Sequence, residues 1–222
     1  MIKYISTLIQ EKIKNKGIIF ILSSLSGVGK TTLTKKIIQT DKNISLSISY
    51  TTRKKRINER KNKHYFFINS DEFKSKIKQK VFLEYSQVYD QFYGTSKQYV
   101  TQQLLIGNDL LFDIDGQGCR LFKNKYKNNI VSIFLLPPSI KELYKRLSSR
   151  NSNKKTNFKR MKYLERDISY WKEYDYVIIN NNIQQCLNKL LAILKVERIK
   201  LTRKIEIKNF VINLIQQHKR KS

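Results

Sequence analysis

The sequence GVGKTT at 27–32 combines two glycines, a lysine and two threonines in a spacing suited to holding phosphate groups. Backbone N–H groups of a glycine-rich loop point at an anion, and the dipole of the following helix favours negative charge at its N-terminus. In such a loop Lys30 would reach the outer phosphates as a point charge, and the Thr31 hydroxyl would hold a magnesium ion. The predicted phosphate site comprises Ser24, Leu25, Ser26, Gly27, Val28, Gly29, Lys30, Thr31 and Thr32.

Ser24 departs from the pattern G-x-x-x-x-G-K-[ST], which has glycine at its first position. Glycine suits that position because it brings neither a side chain toward the phosphate nor a conformational penalty. An ordinary strand–turn–helix with a surface lysine is the alternative interpretation. The apolar run before the loop and the helical pattern after it favour the phosphate site.

A second group of polar residues lies at 49–56, after the next predicted strand. Arg53 and Arg56 lie beside several hydroxyls, including that of Ser49, which suits bidentate capture of a phosphate monoester. A predicted hairpin region further along adds the hydroxyls and the carboxylate of Tyr65, Glu84, Tyr93 and Thr95. A carboxylate that accepts two N–H bonds can recognise the N1–H and exocyclic amine edge of guanine. A solvated basic loop and core tyrosines are the alternative interpretation.

Two aspartates, Asp113 and Asp115, end another apolar strand. Alternate residues of a strand face the same way, so we expect both carboxylates on one side of the sheet. An apolar strand that ends in aspartate is where a phosphate-loop enzyme places the carboxylate beside its metal. Capping of the next helix by Asp115 is the alternative interpretation.

Three arginines, Arg146, Arg150 and Arg160, bracket the segment 151–157, which has no apolar periodicity. We interpret that segment as a mobile loop. Phosphoryl transfer spreads negative charge over the equatorial oxygens, and arginines on a closing lid stabilise this charge while excluding water. Surface arginines at helix ends are the alternative interpretation.

These groups must be positioned by a chain in which apolar strands alternate with helical patterns. Strands are predicted at 18–22, 44–49, 64–68, 81–89, 92–93, 109–115, 130–136 and 176–179. Helices are predicted at 33–40, from an N-cap at Ser70 onward, at 96–106, 139–149 and 158–171, and over the rest of the chain after 179. The alternation predicts an α/β fold with a parallel sheet covered by helices on both faces. The segment 50–94, with a basic exposed loop at 50–62 and hairpins, predicts a small inserted subdomain.

Composition limits the classes of function. Lysine and arginine outnumber the acidic residues by 45 to 17, a net charge of +28, but they are spread along the whole chain, so we expect no specific nucleic-acid partner. Cys119 and Cys186 lack metal-ligand spacing and are expected to be free thiols in a reducing compartment, which favours the cytoplasm. No apolar run approaches the roughly 18 residues of a spanning helix, and no signal peptide is evident. The length of 222 residues suits one sizeable domain with insertions, or at most two small ones.

In this order the motifs resemble those of guanylate kinase, the enzyme that passes the terminal phosphate of ATP to GMP. Beyond the phosphate loop, the resemblance includes 49–56, 64–67, 82–84, 92–96, 113–118, 135–139 and 173–176. It implies a P-loop kinase fold with a parallel sheet core covered by helices on both faces, an inserted GMP-binding subdomain and a mobile lid. The implied divisions are a guanylate kinase-like domain at 17–201 (core 17–48 and 97–201, insertion 49–96, lid about 150–160), an N-terminal extension at 1–16 and a basic C-terminal helix at 202–222.

The resemblance also implies roles for individual residues. GMP would be bound by Ser49, Arg53, Arg56, Tyr65, Glu84, Tyr93, Thr95, Asp113 and Asp115. The transferring phosphoryl group would be surrounded by the catalytic residues Lys30, Arg146, Arg150 and Arg160. Thr31 would hold the metal, with help from Asp113 or Asp115. The implied cofactors are Mg²⁺ and ATP as phosphoryl donor, and the implied partners are the small molecules GMP and ATP, for a monomer or homodimer without membrane or specific nucleic acid.

The chain departs from the family pattern in three places. Ser24-Leu25 replaces the usual Gly-Pro, the lid segment is shorter and carries Lys154-Lys155 where acidic residues are usual, and Asn181 stands where aspartate is common. Two alternatives stay open: an inactive guanylate-kinase-like protein-interaction module, and a related P-loop kinase with a different phosphorylated acceptor. The presence of Lys30, Thr31 and the three arginines favours an enzyme, and Glu84 and Thr95 together with Ser49 and Arg53 favour GMP.

Overall fold

The computed structural model describes residues 17–55, 59–60, 65–88, 90–125, 130–148, 163–204 and 206–220. The strands are β1 (Ile19–Ser24), β2 (Ile44–Leu46), β3 (Ser49–Thr51), β4 (Tyr65–Phe67), β5 (Phe82–Val88), β6 (Gln91–Ser96), β7 (Asp109–Asp113), β8 (Ile130–Leu136) and β9 (Tyr176–Ile179). The α-helices are α1 (Lys30–Thr40), α2 (Ser70–Lys78), α3 (Lys97–Leu105), α4 (Gly116–Lys125), α5 (Ile140–Ser148), α6 (Leu164–Ser169), α7 (Ile183–Ile199) and α8 (Ile207–Lys219). Short 3₁₀ helices occur at Tyr170–Glu173 and Leu201–Arg203.

The larger sheet has the order β2-β7-β1-β8-β9, and all of its neighbouring strands are parallel. In the central strand β1, Ile19, Phe20, Ile21 and Leu22 are completely buried. Phe20 and Leu22 join a buried cluster with α1 and α7, whereas Ile19 and Ile21 join another with α3 and α4. Because successive residues of a strand point to opposite faces, helices cover both sides of the sheet, and the predicted α/β fold is confirmed.

The smaller sheet has the order β4-β3-β6-β5 and is formed entirely by residues between 49 and 96. Its β3–β6 and β5–β6 pairs are antiparallel, and its β3–β4 pair is parallel. Helix α2 contributes Phe73, which is completely buried and stacks on Phe82 and Phe92 with ring centroids 4.6 and 5.3 Å apart. This sheet therefore rests on aromatic packing against α2.

The predicted strand at 44–49 is wrong as a single element. Ile44–Leu46 pairs with β7 in the larger sheet, and Ser49–Thr51 pairs with β4 and β6 in the smaller one. Apolar and polar residues alternate across this whole stretch, so periodicity carries no sign that the chain changes sheets. The exposed loop predicted at 50–62 is also wrong at its start, because Thr51 is completely buried.

Three further boundaries differ from prediction. The side chain of Asn69, not Ser70, caps α2 and accepts a hydrogen bond from the Glu72 N–H at 2.8 Å. The strand predicted at 109–115 ends at Asp113, and α4 begins at Gly116. The helix predicted at 158–171 is described only from 163 onward, where α6 gives way to the 3₁₀ helix Tyr170–Glu173.

Helix α7 is tied to the core by ion pairs and a hydrogen bond. Arg198 donates to Asp41 and to Asp109, each at 2.6 Å, and Glu197 accepts from the Tyr176 hydroxyl at 2.6 Å. Asp109 and Tyr176 are the first residues of β7 and β9, so these contacts fix the helix at the amino ends of the strands, opposite the carboxyl ends of β1 and β7 from which the candidate site is built. Within the described residues, no helix combines the length and apolarity needed to cross a membrane.

Candidate active site

The phosphate loop joins the end of β1 to the start of α1 and depends on two glycines. Gly27 and Gly29 have φ angles of 93° and 108°, in the left-handed region that favours glycine. A Cβ on Gly29 would lie 2.9 Å from Asn180 Nδ2, which donates to the Val28 carbonyl at 2.7 Å. The end of β9 therefore holds the loop from behind, and the N-terminus of α1 faces the cavity in front.

Ser24, the departure from the glycine pattern, sits in the loop without backbone strain. Its hydroxyl donates to the Leu25 carbonyl at 2.9 Å. Among the described residues, Lys80 is the only non-glycine with a positive φ. The usual conformational reason for a glycine at position 24 therefore does not apply to this chain.

Lys30, the first residue of α1, reaches across to the end of β7. Its ammonium forms an ion pair with Asp113 and donates to the Ile114 carbonyl at 3.3 Å, which also accepts from Ser23 Oγ at 2.8 Å. The two side chains of the ion pair are 19% and 25% exposed. The lysine is therefore held at the cavity edge by a carboxylate on the strand next to β1.

Asp115 has a different structural role from that of Asp113. It lies beyond β7 and caps α4, because its Oδ1 accepts from the Gly118 N–H at 2.9 Å. The expectation that both carboxylates share one strand face is wrong, since the strand ends at Asp113. Both aspartates nevertheless line the same cavity as Lys30.

The cavity in front of the loop has a volume of about 460 Å³. From the predicted phosphate site it is lined by Ser24, Leu25, Ser26, Gly27, Gly29, Lys30 and Thr31. Its far side includes Tyr163, Arg166, Asp167 and Tyr170, which the sequence reasoning missed. Arg166 donates to Asp167 at 2.9 Å and lies over the Tyr163 ring at 4.5 Å. These residues lay inside a predicted helix, and nothing in their spacing pointed to the cavity.

An adjoining cavity of about 200 Å³ lies between the smaller sheet and the end of β7. It brings together the predicted residues Lys30, Ser49, Tyr65, Glu84, Tyr93, Asp113 and Asp115. Glu84 and Thr95 face each other across the β5–β6 pair, and Thr95 Oγ1 donates to Glu84 Oε1 at 2.7 Å. The Ser49 and Thr95 hydroxyl oxygens are 3.4 Å apart. The sheet register thus places the Glu84 carboxylate and the Ser49 hydroxyl in the lining of one small pocket, with the completely buried Thr95 hydroxyl bonded to that carboxylate.

Two tyrosines form a wall of this pocket. The rings of Tyr65 and Tyr93 meet edge to face with centroids 6.1 Å apart. Burial, followed by the negative charge of Asp113, raises the pKa of the Tyr65 hydroxyl above its ordinary value. That hydroxyl consequently stays protonated at neutral pH and is available as a hydrogen-bond donor.

Arg53 borders the tyrosines and is paired with a residue that the sequence reasoning missed. Its Nη1 and Nη2 donate to the two carboxylate oxygens of Glu59 at 3.0 and 2.8 Å. The guanidinium carbon lies 5.3 Å from the centre of the Tyr65 ring. Arg56, the second predicted phosphate ligand, lies outside the described residues.

Arg146 contacts the phosphate loop and lines a cavity whose lining does not include Lys30. It donates to Glu142 at 2.9 Å, to the Asn180 carbonyl at 3.3 Å and to the Val28 carbonyl at 3.4 Å. It lines a third cavity, of about 420 Å³, with the loop residues Gly27, Val28, Gly29 and Thr32 and with 180–183. Arg150, Arg160 and the segment 150–160 lie outside the described residues, so their predicted lid role stays a prediction.

Comparison with known proteins gives a consistent answer over most of the chain. The family model described as guanylate kinase matches residues 16–197. A guanylate kinase of Rickettsia prowazekii is 48% identical over 85% of this chain and 96% of that protein. One from Novosphingobium aromaticivorans is 38% identical over 93% of this chain and 94% of its own length.

The fold leads to the same family. The crystal structure of guanylate kinase from Anaplasma phagocytophilum matches with a TM-score of 0.75 at 30% sequence identity, and the match covers 89% of this chain and 94% of that chain. The match therefore extends over most of both chains. The chain belongs to the guanylate kinase family.

Proposed function

We propose that this protein is a guanylate kinase, which transfers the γ-phosphoryl group of ATP to GMP and forms ADP and GDP. The observation that carries the proposal is the meeting of two pockets at Lys30: the phosphate-loop cavity and the pocket of Glu84 share that lysine with Tyr65, Asp113 and Asp115. A donor phosphate on the loop and an acceptor in the second pocket would therefore face each other across one ammonium group.

The acceptor pocket suits guanine. Glu84 would accept hydrogen bonds from N1–H and the exocyclic amine, while Thr95 holds one carboxylate oxygen in place. Adenine carries an acceptor at N1 and no amine at C2, so it would leave the carboxylate unpaired, which costs affinity. Ser49, Tyr65, Tyr93 and Arg53 would bind the acceptor phosphate with Arg56, because hydroxyl donors and guanidinium forks match phosphate oxygens.

Transfer in this site needs no covalent intermediate. The loop N–H groups and Lys30 would hold the donor phosphates, and their fixed charges would stabilise the negative charge that develops on the transferring group. We propose that Arg150 and Arg160 add charge when the lid segment closes. Arg146 would support the loop and the cavity behind it, which fits its bonds to Val28 and Asn180.

Mg²⁺ fits the oxygen donors at the front of the loop. Within the described residues, no three His, Cys, Asp or Glu side chains cluster into a metal site, but Mg²⁺ needs no such cluster, because it is usually held by one or two carboxylates together with substrate phosphates. Thr31, Asp113 and Asp115 offer oxygens at the lining of one cavity. When bound, Mg²⁺ would neutralise charge on the donor phosphates.

Three further assignments accompany this function. We propose that the smaller sheet, within 49–96, is the GMP-binding unit and that the lid spans about 150–160. The partners would be GMP and ATP, without a specific nucleic acid, in a monomer or homodimer. A cytoplasmic location would suit Cys119 and Cys186, which are both free and buried.

The direct test is phosphoryl transfer from Mg-ATP with GMP, dGMP, AMP, UMP and CMP as acceptors. We expect GDP formation from GMP at the highest kcat/KM of the ribonucleotides. Faster transfer to another base would overturn the guanine assignment of Glu84 while keeping the phosphate loop. Folded protein that binds GMP but transfers no phosphate to any acceptor would instead establish an interaction module.

A further inference from the structure

Arg53 and Glu59 form a planar, two-point ion pair inside the acceptor cleft. The two Nη–Oε distances are 3.0 and 2.8 Å, and Nη1 also donates to the Lys54 carbonyl at 2.8 Å. The side chains of this pair are only 17% and 15% exposed. Both residues line a cavity of about 670 Å³ together with Ser49, Tyr65 and Tyr93, the predicted ligands of the acceptor phosphate.

The pair fixes which edge of the guanidinium can meet a ligand. A guanidinium carries five N–H donors in one plane, and the bonds to Glu59 and Lys54 use three of them. The Nε–H and the second Nη2–H lie along the other edge, which is itself a fork that matches two phosphate oxygens. The rings of Tyr65 and Phe67, 5.3 and 5.7 Å from the guanidinium carbon, further restrict its plane.

The pKa of Arg53 agrees with a stable ion pair between Arg53 and Glu59. Burial alone would lower the pKa of the Arg53 guanidinium, but the hydrogen bonds and charge of Glu59, followed by the smaller contributions of Tyr93, outweigh it and leave that pKa above its ordinary value. Without Glu59, a largely buried cation would lose its carboxylate partner and would keep only neutral acceptors, the Lys54 carbonyl and the Tyr93 hydroxyl. The carboxylate therefore stabilises the one orientation in which Arg53 lines the cleft.

We propose that Glu59 is a positioning residue for the acceptor phosphate, acting through Arg53 by occupying one edge of its guanidinium and presenting the other to GMP. This inference rests on the proposed guanylate kinase function. The competing possibility is that Glu59 occupies the place of the phosphate and must leave before GMP binds. The two possibilities predict opposite changes in GMP affinity when Glu59 is removed. Removing a competitor would tighten GMP binding, whereas removing a positioning group would weaken it.

The experiment compares Glu59→Gln, Glu59→Asp, Arg53→Gln and the double variant Glu59→Gln/Arg53→Gln with the wild-type protein. Steady-state kinetics give KM for GMP, KM for ATP and kcat, and calorimetry gives the Kd of GMP. We expect Glu59→Gln to raise the KM and Kd of GMP about tenfold with an unchanged KM for ATP, since a mispositioned ligand loses binding energy at its own site only. Glu59→Asp keeps the negative charge, so its KM and Kd for GMP should lie between those of the wild-type protein and those of Glu59→Gln.

The double variant tests whether Glu59 acts through Arg53. If it does, adding Glu59→Gln to Arg53→Gln should change the GMP constants less than twofold. Additive losses would overturn the proposal, as would tighter GMP binding or unchanged GMP constants in Glu59→Gln. The matched control is Glu72→Gln, which removes a half-exposed carboxylate paired with Lys76 on α2 and should leave every constant unchanged.

Failure of the inference and failure of the proposed function give different results. A wild-type protein that phosphorylates GMP and a Glu59→Gln variant with the same GMP constants would reject the positioning role alone. A folded wild-type protein without GMP phosphorylation would reject the function. The KM for ATP and the circular dichroism spectrum report whether each variant is folded, and Glu59→Asp supplies the comparison if Glu59→Gln unfolds.

Discussion

The phosphate loop and the acceptor pocket meet at Lys30 but are built by different means. The loop stands on the fully parallel sheet, is shaped by glycines at positive φ and would hold phosphates largely through backbone N–H groups. The acceptor pocket stands on the smaller, mostly antiparallel sheet, and its walls are the side chains of Ser49, Glu84 and Tyr93. One region supplies a fixed backbone cradle, and the other supplies a set of side chains.

This difference predicts different sensitivities to substitution. A backbone cradle tolerates a side-chain change wherever the φ angle permits, and Ser24 in place of glycine is such a case. A pocket made of side chains depends on paired groups, such as Thr95 with Glu84 and Arg53 with Glu59, and losing one member leaves the other unpaired. Substrate choice should therefore reside in the smaller sheet and phosphate chemistry in the larger one.

The largest loss of activity is expected on substitution of Lys30, the side chain that adds a positive charge to the backbone N–H groups of the loop. Lys30→Ala should lower kcat/KM for GMP phosphorylation roughly a thousandfold, because one preorganised charge beside the transferring phosphate is lost. Lys36→Ala on the same helix is the control and should retain wild-type kinetics. A loss below tenfold in Lys30→Ala would mean that the loop backbone alone carries the phosphate chemistry.

A smaller but more selective effect is expected in the acceptor pocket. Glu84→Gln should lower kcat/KM for GMP about a hundredfold, because the amide presents a donor to the donor edge of guanine. Transfer to AMP, measured in the same assay, should change far less.

Thr95→Val is expected to lower kcat/KM for GMP less than Glu84→Gln does. It removes the hydroxyl that donates to Glu84 at 2.7 Å and should cost GMP about tenfold, with the carboxylate still in place. Equal losses on GMP and AMP in both variants would contradict the assignment of base selection to this pair.

A substitution at Gly29 tests the backbone conformation of the phosphate loop directly. Gly29→Ala places a methyl group 2.9 Å from Asn180 Nδ2 at a φ of 108°, which should cost about 1–3 kcal/mol and lower kcat/KM for ATP about tenfold. Gly107→Ala is the matched control, because Gly107 also has a positive φ (84°) but lies outside the cavities described above. It should lower the melting temperature while leaving the kinetics intact. Normal kinetics in Gly29→Ala would show that the loop adapts.

The sequence predicts those parts of the molecule that depend on local spacing. The phosphate loop depends on glycines within one short stretch, and Glu84 and Thr95 are predicted in one hairpin region, although their direct contact depends on the observed register of β5 and β6. The pairing of Arg53 with Glu59 was missed, because a basic, aperiodic segment gives no sign of which charges meet. The contacts of Arg146 with Val28 and Asn180 were missed for a related reason: these partners are distant in the chain and are brought near only by packing.

The passage of the chain from the larger sheet to the smaller one between Leu46 and Ser49 shows a second limit of prediction from sequence. A period of two reports that residues are extended and half-buried, but not which sheet they join. The switch from β2 to β3 is decided by long-range pairing with β7 on one side and with β4 and β6 on the other. The same switch separates the two regions of the site, so the comparison between them could not be drawn from periodicity alone.

The smallest effect concerns how far the parallel sheet responds to acceptor binding. Cys119 and Cys186 lie in the two buried clusters on opposite faces of this sheet, and burial raises the pKa of each thiol to about 11. At pH 8 this pKa alone should slow thiol labelling about a hundredfold relative to the unfolded chain, because the thiolate is the reactive form. Saturating GMP should change either rate less than twofold if the core is preformed and only the smaller sheet responds. Mass-spectrometric labelling of each cysteine with and without GMP measures this, and strong protection of Cys119 would show that acceptor binding also tightens the core.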